Sequence, residues 1–225
     1  MKYTYLFLNL ITILGPVIMS FEKKIRFFRY WKPAFTALTF SGLFFLSWDY
    51  LFTYKRIWSF NPDYLTGFYL GVLPIEEILF FITVPFACLF IYEVVRFYYP
   101  APGWNPQALI IGIIWGSFLI GIALMNIPKL YTSVKLLLTG GFLLYMSLMI
   151  KPVYMAQFWI LYLIHLIPFA LINGVLTSLP VVRYDDYYNL GIRLGTIPIE
   201  DTQYSLLLLL MTVAVFEHYK QKHGL

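Results

Sequence analysis

Long apolar runs broken by short polar stretches dominate this chain. A bilayer core about 30 Å thick needs ~20 mostly apolar residues per helix. Seven stretches meet that length: residues 3–21, 34–52, 74–94, 109–127, 131–150, 154–175 and 198–216. The pattern predicts an all-α integral membrane protein with seven transmembrane helices. The first run reads as a retained span, because it is long, lacks a small-residue cleavage pattern and precedes six more. The loops leave no room for a soluble domain.

Composition narrows this further. The 225 residues are 60% hydrophobic and 12% charged, against about 25% charged in a soluble domain. The charges are too few to coat a water-soluble globule. The net charge of +5 forms no basic patch outside the juxtamembrane loops, so no nucleic-acid partner is expected. Lys23, Lys24, Arg26, Arg29 and Lys32 crowd the loop after the first span. Basic loops stay in the cytoplasm, which predicts an outer N-terminus and a cytoplasmic C-terminus in a prokaryotic cell membrane. The lone Cys88 sits in an apolar run and reads as a packing residue.

A repeat underlies the spans. Residues 67–77 read GFYLGVLPIEE and residues 191–201 read GIRLGTIPIED, with six of eleven positions identical at an offset of 124. The same offset pairs Asp49 with Asn173, Glu93 with Glu217 and Arg96 with Lys220. Similarity between apolar helices alone would not align polar residues in this way. Spans 1–3 and 5–7 are therefore read as two copies, residues 1–100 and 130–225, with a linker span in 101–129. Four crossings separate their starts, so the copies are parallel and related by a pseudo-two-fold axis along the membrane normal. Both Pro-Ile-Glu motifs then lie at one face, predicted to be the outer one.

Proline suits the first helical position, which puts Glu76 and Glu200 third, near the positive end of the helix dipole. An ordinary helix start would look the same. However, the acids are doubled, as Glu76-Glu77 and Glu200-Asp201, they recur in both copies, and they open lipid-length segments, where ionisable groups are functional candidates. Adjacent positions point ~100° apart, so one acid of each pair can face the centre while the other caps or meets a loop. Carboxylates converging there cannot all ionise, which allows a protonated acid beside an ionised base. Trp48, Asp49, Asn173 and Arg193 are supporting candidates: Trp48 as a π face for a cation, Asp49 as an intramembrane acid, Asn173 as its counterpart and Arg193 as a partner for the acids. Glu93 with Arg96 and Glu217 with Lys220 read as surface i,i+3 pairs. His165 reads as a core histidine. No metal site is expected, because no second His or Cys stands at ligand spacing, and no nucleotide or flavin motif is present.

The two copies, each with a PxE(E/D) motif opening its third span, resemble the lycopene cyclase domain family of the heterodimer-derived bacterial, archaeal and fungal type. The resemblance rests on NGVLT (173–177) with PVVRYDDYYNLGIRLGTIPIED (180–201), and on SWDY (47–50) with NPDYLTGFYLGVLPIEE (61–77). It implies two copies in one chain with no synthase attached, a linear carotenoid such as lycopene as substrate within the bilayer, and other enzymes of carotenoid biosynthesis as partners. It further implies cyclisation of ψ-end groups to β-rings without redox change or cofactor. The family's motif carboxylates map onto Glu76, Glu77, Glu200 and Asp201, with Asp where the first copy has Glu. One of Glu76 or Glu200 is then expected to donate the proton and another motif acid to remove one.

Two rival readings compete, the first kept as the alternative and the second excluded. A small transporter of the SWEET class shares the 3+1+3 plan, but it carries Pro-Gln motifs within helices and would need more polar groups at mid-membrane. A retinal-binding pump needs a lysine midway along the last span, and residues 202–216 hold none.

Overall fold

The structure is a computed structural model that describes every residue except Met1, Pro102 and Trp104. The very start of the expected first copy and part of the loop opening the expected linker thus lie outside the described residues. Seven helices follow the apolar runs: α1 (Thr4–Met19), α2 (Trp31–Tyr54), α3 (Ile75–Tyr98), α4 (Pro106–Met125), α5 (Leu130–Leu144), α6 (Met155–Ser178) and α7 (Ile199–Lys222). The end of α5 widens into a π-helix, Tyr145–Ile150. Six helices, counting α5 with that extension, are long and apolar enough to cross a bilayer. α1 has only 16 residues, about 24 Å at 1.5 Å per residue, and is the short member of the predicted seven. The chain is a multi-pass, all-α membrane protein.

Six short strands punctuate the loops. Tyr69–Leu70 (β2) and Leu73–Pro74 (β3) form a hairpin directly before α3. Arg193–Leu194 (β5) and Ile197–Pro198 (β6) do the same before α7. Each hairpin turns through two residues, led by Gly71 (φ 64°) or Gly195 (φ 63°). A leading residue with positive φ suits the twist of a tight hairpin, and glycine takes it without a Cβ clash. The paired glycines of the repeat are thus turn residues. The prolines close β3 and β6 as helix N-caps, so α3 and α7 begin at Ile75 and Ile199. Glu76 and Glu200 are second, and Glu77 and Asp201 third, one place earlier than the motif alone suggests.

The remaining pair crosses between the two halves. Trp58–Phe60 (β1) pairs antiparallel with Val182–Tyr184 (β4), centred on Ser59 opposite Arg183. Those two residues are themselves an offset-124 pair. The ladder therefore sits on the pseudo-two-fold axis. At the opposite end of the same axis the ends of α3 and α7 meet. Lys220 Nζ lies 2.7 Å from Glu93 and 3.3 Å from Glu217. Arg96 lies 3.0 Å from Glu93 and 3.1 Å from Glu217. Glu93, Glu217 and Lys220 are buried. The expected surface pairs are instead one cross-copy ring of four charges, because α3 and α7 bring equivalent ends together at the axis. A buried ring of this kind is costly to break by removing one member.

The linker helix α4 packs on α5 through glycines. A Cβ on Gly140 would stand 2.7 Å from the Gly116 carbonyl oxygen, and one on Gly116 would stand 2.9 Å from that of Gly140. Small residues permit such close approach between membrane helices. Gly140→Ala should force the helices apart and lower stability by ~1–3 kcal/mol, the usual cost of overpacking. A lowered melting temperature in detergent would register it, and an unchanged one would mean that α4 is loosely held.

Candidate active site

Beneath the β1–β4 ladder lies a cavity of about 390 Å³. Trp58, Phe60, Val182 and Tyr184 of the ladder roof it, and α1, α3, α6 and α7 wall it, with Asp49 from α2 and Tyr131 and Lys135 from α5 near the roof. On α3 it touches Glu77, Phe80, Val84, Ala87, Cys88 and Ile91, an i, i+3, i+4 stripe on one helix face. From Glu77 to Ile91 that stripe rises 14 steps, about 21 Å of helix, with the acid at the roofed end and apolar walls below. The cavity is therefore a slot running along α3.

The two acids of each motif part company here. Glu76 turns back to its own hairpin loop, where Thr66 N–H donates to Oε1 at 2.6 Å. Glu200 does the same for Leu190 N–H at 2.8 Å and also accepts from the Thr132 hydroxyl at 2.5 Å. Thr66 and Leu190 are again an offset-124 pair. Both glutamates are buried and away from the slot lining. Glu77 and Asp201, one residue later and about a quarter-turn round the helix, line the slot. The two copies thus bring their second acids together in one cavity.

Each second acid meets a different set of partners. In the first copy Glu77 accepts from the Tyr5 hydroxyl at 2.5 Å, and Asp49 lines the same cavity. Asp49 in turn accepts from the Tyr204 hydroxyl at 2.7 Å. Two carboxyl groups buried in one cavity cannot both ionise without a large cost. In the second copy the partner of Asp201 is not an acid but Asn173, whose amide donates at 3.1 Å. Asp201 also accepts from Tyr184 at 2.8 Å and Lys135 at 2.9 Å, and from the Tyr131 hydroxyl. Lys135 donates to Tyr131 as well. Its ammonium lies 4.4 Å from the centre of the Tyr204 ring, within cation–π range. Four donors, one of them a cation, converge on Asp201. Tyr184 lies in the roof outside the spans, and burial, reinforced by Asp201, pushes its phenol well above the ordinary value. It therefore stays a donor at any working pH.

The supporting candidates divide. Asp49 and Asn173 are in the cluster. Trp48 is buried outside the slot, stacked on Phe45 with ring centroids 5.8 Å apart. Arg193 stays in the surface hairpin, 2.5 Å from Asp186. Asp186 sits below its ordinary carboxylate value, chiefly through the Asn189 amide and then through Arg193. His165, expected in the core, does line the slot: its Nδ1 lies 3.4 Å from Cys88 Sγ, while Nε2 is buried without a partner.

Sequence reasoning passed over Tyr5, Tyr131, Lys135, Tyr184 and Tyr204. A signal was present for three of them. Tyr5 and Tyr131 do equivalent work at an offset of 126, not 124, and Asn9 and Lys135 follow each by four residues. The first helices of the copies are out of step by two residues, which a fixed offset misses. Lys135 was further marked as an ionisable residue within a span.

The fold and cavity define a multi-pass membrane protein with one buried carboxylate site assembled from two copies. A family model described as lycopene cyclase matches the chain twice, over residues 2–95 and 128–219. The chain belongs to the lycopene cyclase family, two copies in one chain, and its activity is carotenoid cyclisation. No curated protein and no solved structure matches the chain.

Proposed function

We propose that the protein closes the acyclic ψ-end of lycopene into a β-ring by proton-initiated cyclisation, with the Asp49–Glu77 pair as acid and Asp201 as base. The observation that carries this reading is the meeting of two buried acids, Asp49 and Glu77, with the ion-paired Asp201 in one slot. The donor role suggested by the motif for Glu76 or Glu200 passes to Glu77 with Asp49, because the earlier glutamates are engaged by their hairpin loops.

Protonation at C2 of the ψ-end leaves a tertiary cation at C1. The C5=C6 bond attacks C1, the ring closes, and the charge moves to C5. Loss of the C6 proton gives the β-ring, so one proton enters, one leaves, and no redox change occurs. Protonating an alkene is the hard step. The Tyr5 and Tyr204 hydroxyls favour it by stabilising the carboxylate left on the pair. Removing a proton from a carbocation is easy, so a carboxylate already engaged by Lys135 and two tyrosines suffices. Lys135 and Asp201 cancel in charge, so the lysine does not oppose the passing cation. The faces of Phe60, Phe80 and Trp58 line the slot and favour positive charge. The ladder above keeps out water that would trap the cation. The proton taken by Asp201 returns to the pair before the next turnover; the Tyr184 hydroxyl stands on Asp201 and the Tyr204 hydroxyl on Asp49 at the two ends of that path.

The copies, residues 1–100 and 130–225, have in this reading diverged into an acid half and a base half. The roofed end faces outward, the N-terminus is outside and the C-terminus is cytoplasmic. Expression in cells that accumulate lycopene should convert it to ring-bearing carotenoids separable by chromatography. Unchanged lycopene beside protein confirmed in the membrane would overturn the assignment.

A further inference from the structure

The repeat predicts two equivalent slots, one beside α3 and one beside α7. By the offset of 124, the counterparts of the slot residues Cys88, His165, Phe169 and Ile172 are Thr212, Ser41, Phe45 and Trp48. These residues close the second space. Thr212 donates to Ser41 at 2.9 Å across the α2–α7 contact, where α3 and α6 have the Cys88–His165 contact. Ala37, Ser41 and Gly42 take the places of Leu161, His165 and Leu166, and small residues let α2 sit close on α7. Phe45 and Trp48 stack on one another and pack against Tyr204, with ring centroids 5.0 and 5.4 Å from it, filling what remains. On the other side, α6 carries the bulkier Leu161, His165 and Leu166 at the equivalent positions.

The open slot has its own outlet. Its walls include Ile11 of α1 and Leu171 of α6, which are 51% and 67% exposed. It therefore opens sideways, between α1 and α6, into lipid. An extended chain advances roughly 1.2 Å per chain atom, by analogy with a fully extended backbone. A carotenoid main chain of about thirty carbons is then on the order of 36 Å long on the same basis. The slot, about 21 Å along α3, takes little more than half of it.

Resting on the cyclase reading above, we propose that the enzyme closes one ring per binding event and releases the monocyclic carotenoid into the bilayer. The molecule enters end-first between α1 and α6, and its far half stays in lipid. With the second slot shut, the other end reaches the acids only after the molecule leaves, reverses and re-enters. Because the far half never enters, a ring already formed there is no obstacle. The bicyclic product therefore forms by two independent encounters, and the monocycle is a free intermediate.

Membranes containing the full chain, fed isotopically labelled lycopene with a tenfold excess of unlabelled monocycle, provide the test. Label should pass first into the monocyclic pool, and early labelled bicycle should fall about tenfold against membranes without the excess. Labelled bicycle undiminished by the excess would overturn the proposal, because it would mean channelling without release. Failure of added monocycle to be converted at all, while lycopene still gains one ring, would overturn it too, because the far end would then be read. Absence of any ring from lycopene would instead sink the cyclase reading beneath it. A second measurement concerns the closed space: Thr212→Val with Ser41→Ala should leave both ring closures within twofold. Selective loss of the second closure would show that a second slot operates.

Discussion

Glu77→Gln should abolish cyclisation, whereas Glu76→Gln should leave most of it. Removing the Glu77 carboxyl takes away the general acid, an effect of ~10²–10⁴-fold. A glutamine at position 76 keeps a carbonyl oxygen able to accept from Thr66 N–H, so the hairpin holds and the loss stays within about tenfold, a weakened hydrogen bond costing at most ~1.4 kcal/mol. The second copy should repeat the contrast, with Asp201→Asn severe and Glu200→Gln mild. Ring formation from lycopene in membranes, normalised to protein amount, measures all four variants. The opposite ranking, with the first acid of each pair the more sensitive, would return the donor role to Glu76 or Glu200 and remove the mechanism argued here.

Lys135→Met should be among the most damaging single changes to stability. Its ammonium is buried against Asp201, and removing one partner of a buried pair typically costs about 3–5 kcal/mol because the other charge is left uncompensated. Adding Asp201→Asn to the same chain should recover most of that loss, since an amide needs no counter-charge. Ring formation should not return, because the base is gone. Thermal unfolding in detergent follows stability and pigment analysis follows activity. If the single and double variants unfold alike, the two residues do not depend on each other. If the double variant recovers activity as well as stability, Asp201 is not the base.

Some of this was legible in the chain before any coordinates. Apolar run length placed all seven helices, because bilayer thickness imposes a length that side-chain detail cannot override. The doubled acids gave the right helix turns, and the angle between neighbours on a helix anticipated that only one of each pair would face the centre. Which one does was not legible. It depends on the proline ending a strand at the N-cap, not opening the helix, a shift of one residue and so of ~100°. The charged ends of α3 and α7 were misread as surface pairs because i,i+3 spacing is visible in sequence and a crossing at the pseudo-axis is not. Tyr184 and Tyr204 carried no mark among 19 tyrosines, since an aromatic at a membrane interface is ordinary. Arg193 was drawn to the acids by proximity in sequence, but its hairpin turns it to Asp186 at the surface.

Among the described residues, the roof over the acids is a two-stranded sheet with one strand from each copy. Its integrity is therefore an association between two halves. Joining them in one chain, through the helix α4, replaces an encounter of separate molecules with an internal one. Catalytic output per molecule should then be insensitive to how sparsely the protein is distributed in its membrane. Two separately made halves would lose water exclusion, acid and base together on dilution.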